Sequence, residues 1–191
     1  MDIKQKRAME FFGTELMAIG DEILRKFVLF CLVKAPEYFW TIPASTTGKY
    51  HPAYSLGNGG LVRHTKAACK IAIDLLKLEQ YRHLDTDTIV SALILHDVIK
   101  KREGETYTAT EHPMLASSFI VENHKHYEGT FPSLAPQINE IRKLIMSHMG
   151  QWNYDYYTKA EVLPKPVTEQ EKFVHLCDYL ASRKYLTVIL D

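Results

Sequence analysis

The sequence predicts an all-α fold, organised as one bundle of about six or seven helices. Segments with helical periodicity alternate with loops along the chain, and no segment shows the apolar–polar alternation that is typical of a half-buried strand. The chain has 191 residues, of which 46% are hydrophobic and 24% are charged. It is therefore long enough to bury a sizeable single core.

Two helices are expected before a long loop. The first is predicted over residues 2–19, and Gly20 ends it. Asp21 is a favourable N-cap for a second, more apolar helix that continues to about Lys34. Residues 36–60 are rich in proline and glycine, which predicts a loop. A loop of this length inside a compact domain is uncommon and is often functional.

Further helical segments follow this loop. We predict them over residues 61–81 and 85–100, from residue 110 onward, and over residues 136–149 and 168–185. The helix that Asp85 or Thr86 begins is apolar nearly all round, so we expect it to be central and buried. Thr168 and Glu171 have the spacing of a capping box at the start of the last helix.

Charge and composition exclude several classes of protein. Lysine plus arginine and aspartate plus glutamate number 23 each, so the chain lacks the basic excess of a nonspecific polyanion binder. The longest apolar run, Phe27 to Val33, is far below the roughly 18 residues that span a bilayer. The N-terminus lacks the apolar segment of a secretory signal. Three widely spaced cysteines indicate free thiols in a reducing compartment. We therefore expect a cytoplasmic protein without a membrane partner.

Several histidines and aspartates fall on the inward-facing lines of different predicted helices. They are His64, His96, His148 and Asp178, and Asp97 follows His96 directly. An uncompensated buried carboxylate costs several kcal/mol, so such a group of side chains requires something positive to hold it together. Neutral imidazole and carboxylate are natural ligands of a divalent metal ion. The other histidines, His83, His124, His126 and His175, have polar neighbours, which favours surface or local hydrogen-bonding roles.

Four short segments occur in a fixed order, each with a distinctive local context. They are GGLVRHT at residues 59–65, LILHDVIK at 93–100, SHMGQW at 147–152 and HLCDYLAS at 175–182. Together they resemble the H…HD…D signature of the HD superfamily of metal-dependent phosphohydrolases. The segment at 147–152 resembles an SHHG-type motif in which Met149 replaces the second histidine.

Within the superfamily, the likeness is closest to the HD domain of bacterial 3′–5′ exoribonucleases, whose stretch before the GG pair resembles YHPAY at residues 50–54. The resemblance implies an HD-type core over residues 45–191 and N-terminal helices over residues 1–44 that pack on this core. The exoribonucleases usually carry an OB-fold domain before the HD domain, and the residues before Ser45 are too few for one.

The resemblance also implies the ligands of the metal centre. One ion would be held by His64, His96, Asp97 and Asp178. In relatives with two ions, two more histidines lie between the HD pair and the last aspartate, and His112 and His148 fall in those places, with Asp97 as the bridge. The alternative for His112 is a helix-start residue that bonds its own backbone. A centre without cysteine suits Mn, Fe, Co, Ni or Zn, whereas Mg alone is less expected.

Cations near these ligands are candidates for stabilising charge on the phosphoryl group. Asp97, Arg63 and Lys100 form the predicted catalytic set. The alternative for Lys100, Lys101 and Arg102 is a solvated cluster that suits the C-terminal end of a helix. The remaining residues expected to bind substrate are His51, as an acid or ligand, Tyr54 and Trp152, which would stack on a base, and Lys101 and Arg183.

The leading hypothesis is a phosphohydrolase that cleaves a phosphomonoester or phosphodiester of a nucleotide or short oligonucleotide with a metal-activated water. The neutral overall charge favours a small substrate over a long polyanion. The alternatives are a 3′–5′ exonuclease on single-stranded nucleic acid and a noncatalytic module that binds a nucleotide. A helical bundle without a metal is the remaining option. The sequence does not determine the oligomeric state.

Overall fold

The computed structural model describes residues 2–128, 134–155 and 157–190, and within them the fold is all-α, as predicted. Seven α-helices are seen there, with a 3₁₀ turn at Glu37–Trp40, one at Ala53–Ser55 and one at Gly150–Trp152. The helices are α1 (Ile3–Met17), α2 (Glu22–Lys34), α3 (Gly60–Leu75), α4 (Thr86–Leu95), α5 (His112–Glu128), α6 (Ala135–Ser147) and α7 (Glu169–Ala181). The extended pairing in these residues is a single isolated bridge between Tyr154 and Glu161.

The helices begin at the predicted caps. The Asp21 side chain accepts hydrogen bonds from the backbone of Ile23 and Leu24, so it satisfies amides that have no partner inside α2. Thr168 and Glu171 form the predicted capping box at the start of α7. These caps explain why the starts of the helices agree with the sequence more closely than their ends do.

Three helices end at least four residues earlier than predicted. Helix α3 ends at Leu75 rather than at residue 81, and α7 ends at Ala181 rather than at residue 185. Helix α4 ends at Leu95 rather than at Lys100. There the His96 ring donates from Nδ1 to the carbonyl of Leu93 over 2.7 Å, and this carbonyl is the one that would continue the helix. Helix α4 therefore ends directly before His96 and Asp97, two of the predicted metal ligands.

Helix α4 forms the centre of the bundle. Every residue from Thr88 to Leu95 is buried, in agreement with its apolar composition. It packs against α3, α6 and α7, and it also contacts α1 and α2, the two helices that come first in the chain. No helix in the described residues has both the length and the hydropathy to cross a membrane.

The segment between α2 and α3 folds tightly against the start of α3. Its backbone is fastened by hydrogen bonds from Ala44 to Ser55 over 3.0 Å and from Leu61 to Ile42 over 2.9 Å. A Cβ atom at Gly60 would overlap the carbonyl group of Ser55, so this close approach requires glycine. The long loop expected over residues 36–60 is thus a packed segment with short 3₁₀ turns, and it forms one wall of the cavity described below.

Candidate metal centre

Five helices bring six candidate ligands to one buried place. His64 lies on α3, His96 and Asp97 follow α4, His112 begins α5, His148 follows α6 and Asp178 lies on α7. The side chains of His64, His96, Asp97, His112 and His148 are all at most 5% exposed, and that of Asp178 is 17% exposed. The structure therefore brings together every residue that the sequence assigned to metal binding.

Three of the histidines are oriented by the same local device. The Nδ1 atoms of His96, His112 and His148 bond the carbonyl three residues earlier, over 2.7, 3.0 and 2.6 Å. Because a carbonyl only accepts, each Nδ1 carries the proton and each neutral ring keeps a lone pair on Nε2. These three Nε2 atoms point toward the carboxylates, which is the orientation a metal ligand needs. The local bond expected as an alternative for His112 thus exists, and it orients the ring toward the cluster.

The first group of donor atoms surrounds Asp178. Its Oδ1 lies 2.8 Å from His64 Nε2 and 3.4 Å from His96 Nε2. Asp97 joins this group through Oδ2, which lies 3.3 Å from His96 Nε2 and 4.0 Å from His64 Nε2. We call this group position 1.

The second group uses the other carboxylate oxygen of Asp97. Oδ1 lies 3.1 Å from His112 Nε2 and 4.0 Å from His148 Nε2, and the two histidine nitrogens are 3.3 Å apart. We call this group position 2. The carboxylate of Asp97 thus faces one group with each of its oxygens, which is the arrangement of a bridging ligand.

The donor atoms fit a divalent cation. His96 Nε2 and Asp97 Oδ1 are buried and make no hydrogen bond, although several donor atoms lie within 4 Å of them. Buried polar atoms are rarely left in this condition unless an ion or a ligand uses them. Two sets of three residues, His64 with His96 and Asp178, and His96 with Asp97 and His148, each place one ligand atom within 4.8 Å of the others. Imidazole and carboxylate groups together suit a transition metal.

The electrostatics of the cluster reflect the same crowding. Burial favours the neutral form of His96, but the carboxylates of Asp97 and Asp178 outweigh it and raise the pKa of His96 to about 10. Burial and the neighbouring histidines His96 and His112 lower the pKa of His148 to about 3. Although burial opposes ionisation, Lys100 and His96 hold the pKa of Asp97 well below its usual range. The two carboxylates thus favour a positive charge beside them, which a bound divalent cation would supply in place of a proton.

Lys100 lies at the centre rather than in a solvated cluster. It is buried, and its Nζ donates to Asp97 Oδ2 over 2.7 Å and to the Ala44 carbonyl over 3.4 Å. Its side chain also lines the cavity that opens onto the metal centre. The alternative of a solvated helix end is therefore wrong for Lys100.

A cavity of about 610 Å³ leads from the surface to both positions, a size that is typical of small-molecule sites. Three of the residues predicted to bind substrate, His51, Trp152 and Arg183, line it. Burial, with His64 and Lys100 nearby, lowers the pKa of His51 to about 4, so this ring is neutral at pH 7.

Three other predicted site residues point elsewhere, which corrects those assignments. The Arg63 guanidinium donates to the carbonyls of Tyr54, Leu56 and Asn58 and so holds the loop before α3. The Tyr54 hydroxyl donates to the Ala181 carbonyl over 2.9 Å, and its ring does not line the cavity. The Lys101 ammonium lies 4.9 Å from the ring centroid of Tyr38 instead of facing the cavity. In each case a backbone carbonyl or a neighbouring ring offers a closer partner.

Several cavity residues were not predicted, and two histidines lie in places other than those expected. His175, Tyr179 and Tyr50 line the cavity, although His175 was assigned a surface or local role. The available signal was its position three residues before Asp178, which places both on one face of α7. His124 is also buried, and its ring meets that of Phe27 edge-on at 5.8 Å because α5 packs against α2.

Three aromatic residues and one arginine form a row along the wall of the cavity. The rings of Trp152 and Tyr179 stack at 5.6 Å with planes 11° apart. The guanidinium of Arg183 lies 4.2 Å from the centroid of Tyr179 and 6.0 Å from that of Tyr50. We call these four residues the rim. The rim thus combines three aromatic rings with one guanidinium, a combination used in proteins to bind nucleobases and phosphates.

In this helical bundle, imidazole and carboxylate groups meet at one buried centre next to a cavity. This arrangement is typical of metal-dependent helical enzymes. Comparison with protein families identifies the family within this class. The family model of the HD domain matches residues 59–183, and the chain belongs to the HD-domain family. The resemblance that the four short segments indicated is thereby confirmed.

A curated relative gives a second comparison. The chain is 26% identical over 178 residues to the 3'-5' exoribonuclease YhaM of Shouchella clausii (strain KSM-K16). The match covers 88% of this chain and 50% of the relative, so the chain spans about half the length of that protein. No solved structure gives a significant match. Together the family and the relative support a metal-dependent phosphohydrolase in general terms.

Proposed function

We propose that this protein is a metal-dependent phosphohydrolase that cleaves a phosphate ester of a nucleotide or short oligonucleotide with a metal-activated water. The observation that carries the proposal is the division of the Asp97 carboxylate between two groups of donor atoms. A divalent ion in such a centre lowers the pKa of a bound water and takes up charge on the phosphoryl oxygens. Position 1 would be held by His64, His96, Asp97 and Asp178, and position 2 by Asp97, His112 and His148.

The chain supplies a fixed positive charge at the same place. Lys100 is held between Asp97 and the Ala44 carbonyl, and it reaches the cavity from a buried position. An ammonium group with so little freedom needs no reorganisation when negative charge develops on a phosphoryl group. We assign to Lys100 the stabilisation of this charge. Arg63 is left out of the catalytic set because its guanidinium donates to three loop carbonyls and does not line the cavity.

The rim supports a nucleotide as the substrate. The Trp152 side chain is 37% exposed, so part of its ring is free to stack on a base. Arg183 offers a charge beside the stacked rings that suits a phosphate group. His51, neutral at pH 7, lines the cavity near His64, with the two ring centroids 5.7 Å apart, and would accept or donate one hydrogen bond to the substrate.

A 3′–5′ exonuclease acting on single strands is the second candidate, and the number of rings in the rim favours it. The row contains three aromatic rings, from Trp152 through Tyr179 to Tyr50, which suits successive nucleotides as well as a single one. The curated relative, a 3'-5' exoribonuclease, also favours this candidate. An exonuclease would bind strands with strong salt dependence, whereas a nucleotidase acting on one nucleotide would show a weak dependence.

The decisive experiment begins with the metal content of protein purified without a histidine tag, measured by elemental mass spectrometry. The same protein, reloaded with Mn, Fe, Co, Ni or Zn, is then assayed against nucleoside monophosphates, dinucleotides and short single strands of RNA and DNA. About one or two ions per chain with turnover of any of these substrates supports the proposal. Nucleotide binding without turnover would identify a noncatalytic module, and a chain that takes up no ion would overturn the proposal.

A further inference from the structure

One histidine outside the ligand set is built into the centre by an unusual contact. His175 lies on α7, three residues before Asp178, and its Nδ1 donates to the backbone carbonyl of His148 over 2.6 Å. His148 follows the last residue of α6, where carbonyl groups have no partner inside the helix. The bond therefore ties the end of α6 to α7, next to a candidate ligand on each helix.

The chain after His148 is shaped around the His175 ring. Gly150 has a φ of +58°, a conformation that favours glycine. A Cβ atom at this position would overlap the Cε1, Nε2 and Nδ1 atoms of the His175 ring. Gly150 is thus needed twice, for its left-handed backbone and for the space that the ring occupies. The backbone at Gly150 thus passes directly against the imidazole.

The two ligands joined in this way belong to different positions. Asp178 Oδ1 faces His64 and His96 in position 1. His148 Nε2 lies 3.3 Å from His112 Nε2 in position 2. His148 already has its ring fixed by the Ile145 carbonyl, but that bond is internal to the end of α6 and does not set the distance to α7. Among the described residues, the hydrogen bond from the His175 side chain is the one that joins α7 to the backbone of His148.

We propose that His175 is a positioning residue that couples position 1 to position 2 by holding the backbone of His148 against α7. The inference rests on the metal-dependent function proposed above. His175 is not itself a ligand in this role. It acts through His148, and its effect is on the ion at position 2, whose ligands lie at the ends of α5 and α6. Residues that orient metal ligands typically change metal affinity by about 10–100-fold when they are replaced.

Three substitutions at one site separate the parts of the imidazole. An asparagine side chain places its amide nitrogen near the position of Nδ1, so His175→Asn keeps a donor for the His148 carbonyl. A glutamine side chain places its nitrogen near Nε2, so His175→Gln loses this donor while it keeps a polar side chain of similar length. His175→Ala removes both. The probe is Mn²⁺ alone, titrated into the metal-free full-length chain by calorimetry, with the spin-coupled Mn²⁺ pair followed by electron paramagnetic resonance.

We expect the wild type to bind two Mn²⁺ ions with a spin-coupled signal. His175→Ala and His175→Gln should keep the tighter ion, bind the second ion about 10–100-fold more weakly and lose the coupled signal. His175→Asn should restore most of the affinity for the second ion. If His175→Ala does not fold, as judged by circular dichroism, the comparison of His175→Asn with His175→Gln tests the role of Nδ1 by itself.

Two results would overturn the inference, and they differ from a failure of the proposed function. Unchanged affinity for both ions in His175→Gln would show that the bond to His148 is not needed. Equal behaviour of the asparagine and glutamine variants would show that Nδ1 has no special role. A wild-type chain that binds no Mn²⁺ would instead overturn the metal-dependent function itself.

Discussion

Position 1 and position 2 obtain their ligands from different kinds of structure. At position 1, His64 lies in the second turn of α3 and Asp178 in the last turn of α7, and the two side chains already contact each other over 2.8 Å; His96 and the shared Asp97 follow the end of α4. At position 2, His112 is the first residue of α5 and His148 follows the last residue of α6. Both of its histidines therefore depend on where a helix end is placed.

This difference predicts an order of affinity. Helix ends and the loops beside them open more easily than helix interiors that are packed into a core. Position 1 is supported by α3 and α7, which pack closely against each other. Position 2 adjoins residues 97–111, 149–155 and 157–168, which are mostly turns and irregular backbone. We therefore expect a tighter ion at position 1 and a weaker, more easily removed ion at position 2.

The largest effect is expected for Asp97→Ala, because Asp97 is the residue that the two positions share. The variant should lose both ions, and hydrolysis should fall by roughly 10³-fold or more, since a metal ion contributes several kcal/mol to the transition state. Elemental analysis and a phosphatase assay measure the two effects. Asp74, on α3, has an exposed carboxylate that pairs with Lys77, so Asp74→Ala is the control variant. Retention of one ion by Asp97→Ala would contradict the bridging assignment.

The next effect separates the two positions. His148→Ala should reduce the content from two ions to one and leave the tight ion in place. His64→Ala should weaken the tight ion instead, because it removes the partner of Asp178. Calorimetric titration with Mn²⁺ distinguishes the two cases. His83→Ala is the matched control, since this imidazole is exposed and pairs with Glu169 at the surface. The predicted order of affinity would be wrong if His148→Ala lost the tighter ion.

The metal centre was predictable because its residues conflict with their surroundings. Histidine and aspartate on apolar helix faces, such as His64 and Asp178, need an explanation that a packed core alone does not give. The order of the short segments then indicated the family. The sequence could not indicate that three histidines share one local bond from Nδ1, because this depends on where each helix ends. The early end of α4 at Leu95 is the clearest example.

The surroundings of the centre were harder to predict because they depend on the direction of long side chains. Arg63 follows directly on the glycine-rich segment and precedes His64, so its position in sequence suggested the catalytic site. Its guanidinium instead found three carbonyls in the loop that folds beside it. His175 was assigned wrongly in the opposite direction. The polar residues one turn away from it on α7 suggested a surface role and concealed its contact with Gly150. Contacts between segments distant in sequence decided both cases.

A smaller effect is expected at the rim, which adjoins position 2 through Trp152. Trp152→Ala should raise KM for a nucleotide roughly 10-fold and leave kcat nearly unchanged, because stacking on a base is worth about 1–3 kcal/mol. Steady-state kinetics with a nucleotide and with a base-free ester such as p-nitrophenyl phosphate measure this difference. The base-free ester should be unaffected, and so should the exposed control Tyr185→Ala. Equal losses on both substrates would indicate damage to position 2 rather than loss of stacking.

The smallest effect is expected beside position 1, for Arg63→Lys. Lysine keeps the charge, but it cannot reach the carbonyls of Leu56 and Asn58 together, so the loop loses part of its support. The free energy of unfolding should fall by about 1 kcal/mol, which is the usual worth of a hydrogen bond, and KM should rise only slightly because His51 lies in the same loop. Urea denaturation and kinetics measure the two effects, with the exposed Arg82→Lys as the control.

Mn²⁺ affinity should stay at the wild-type value, because the guanidinium points away from the ligands. A large fall in kcat with unchanged stability would instead return Arg63 to the catalytic set and make position 1 the part of the centre that needs a second fixed cation.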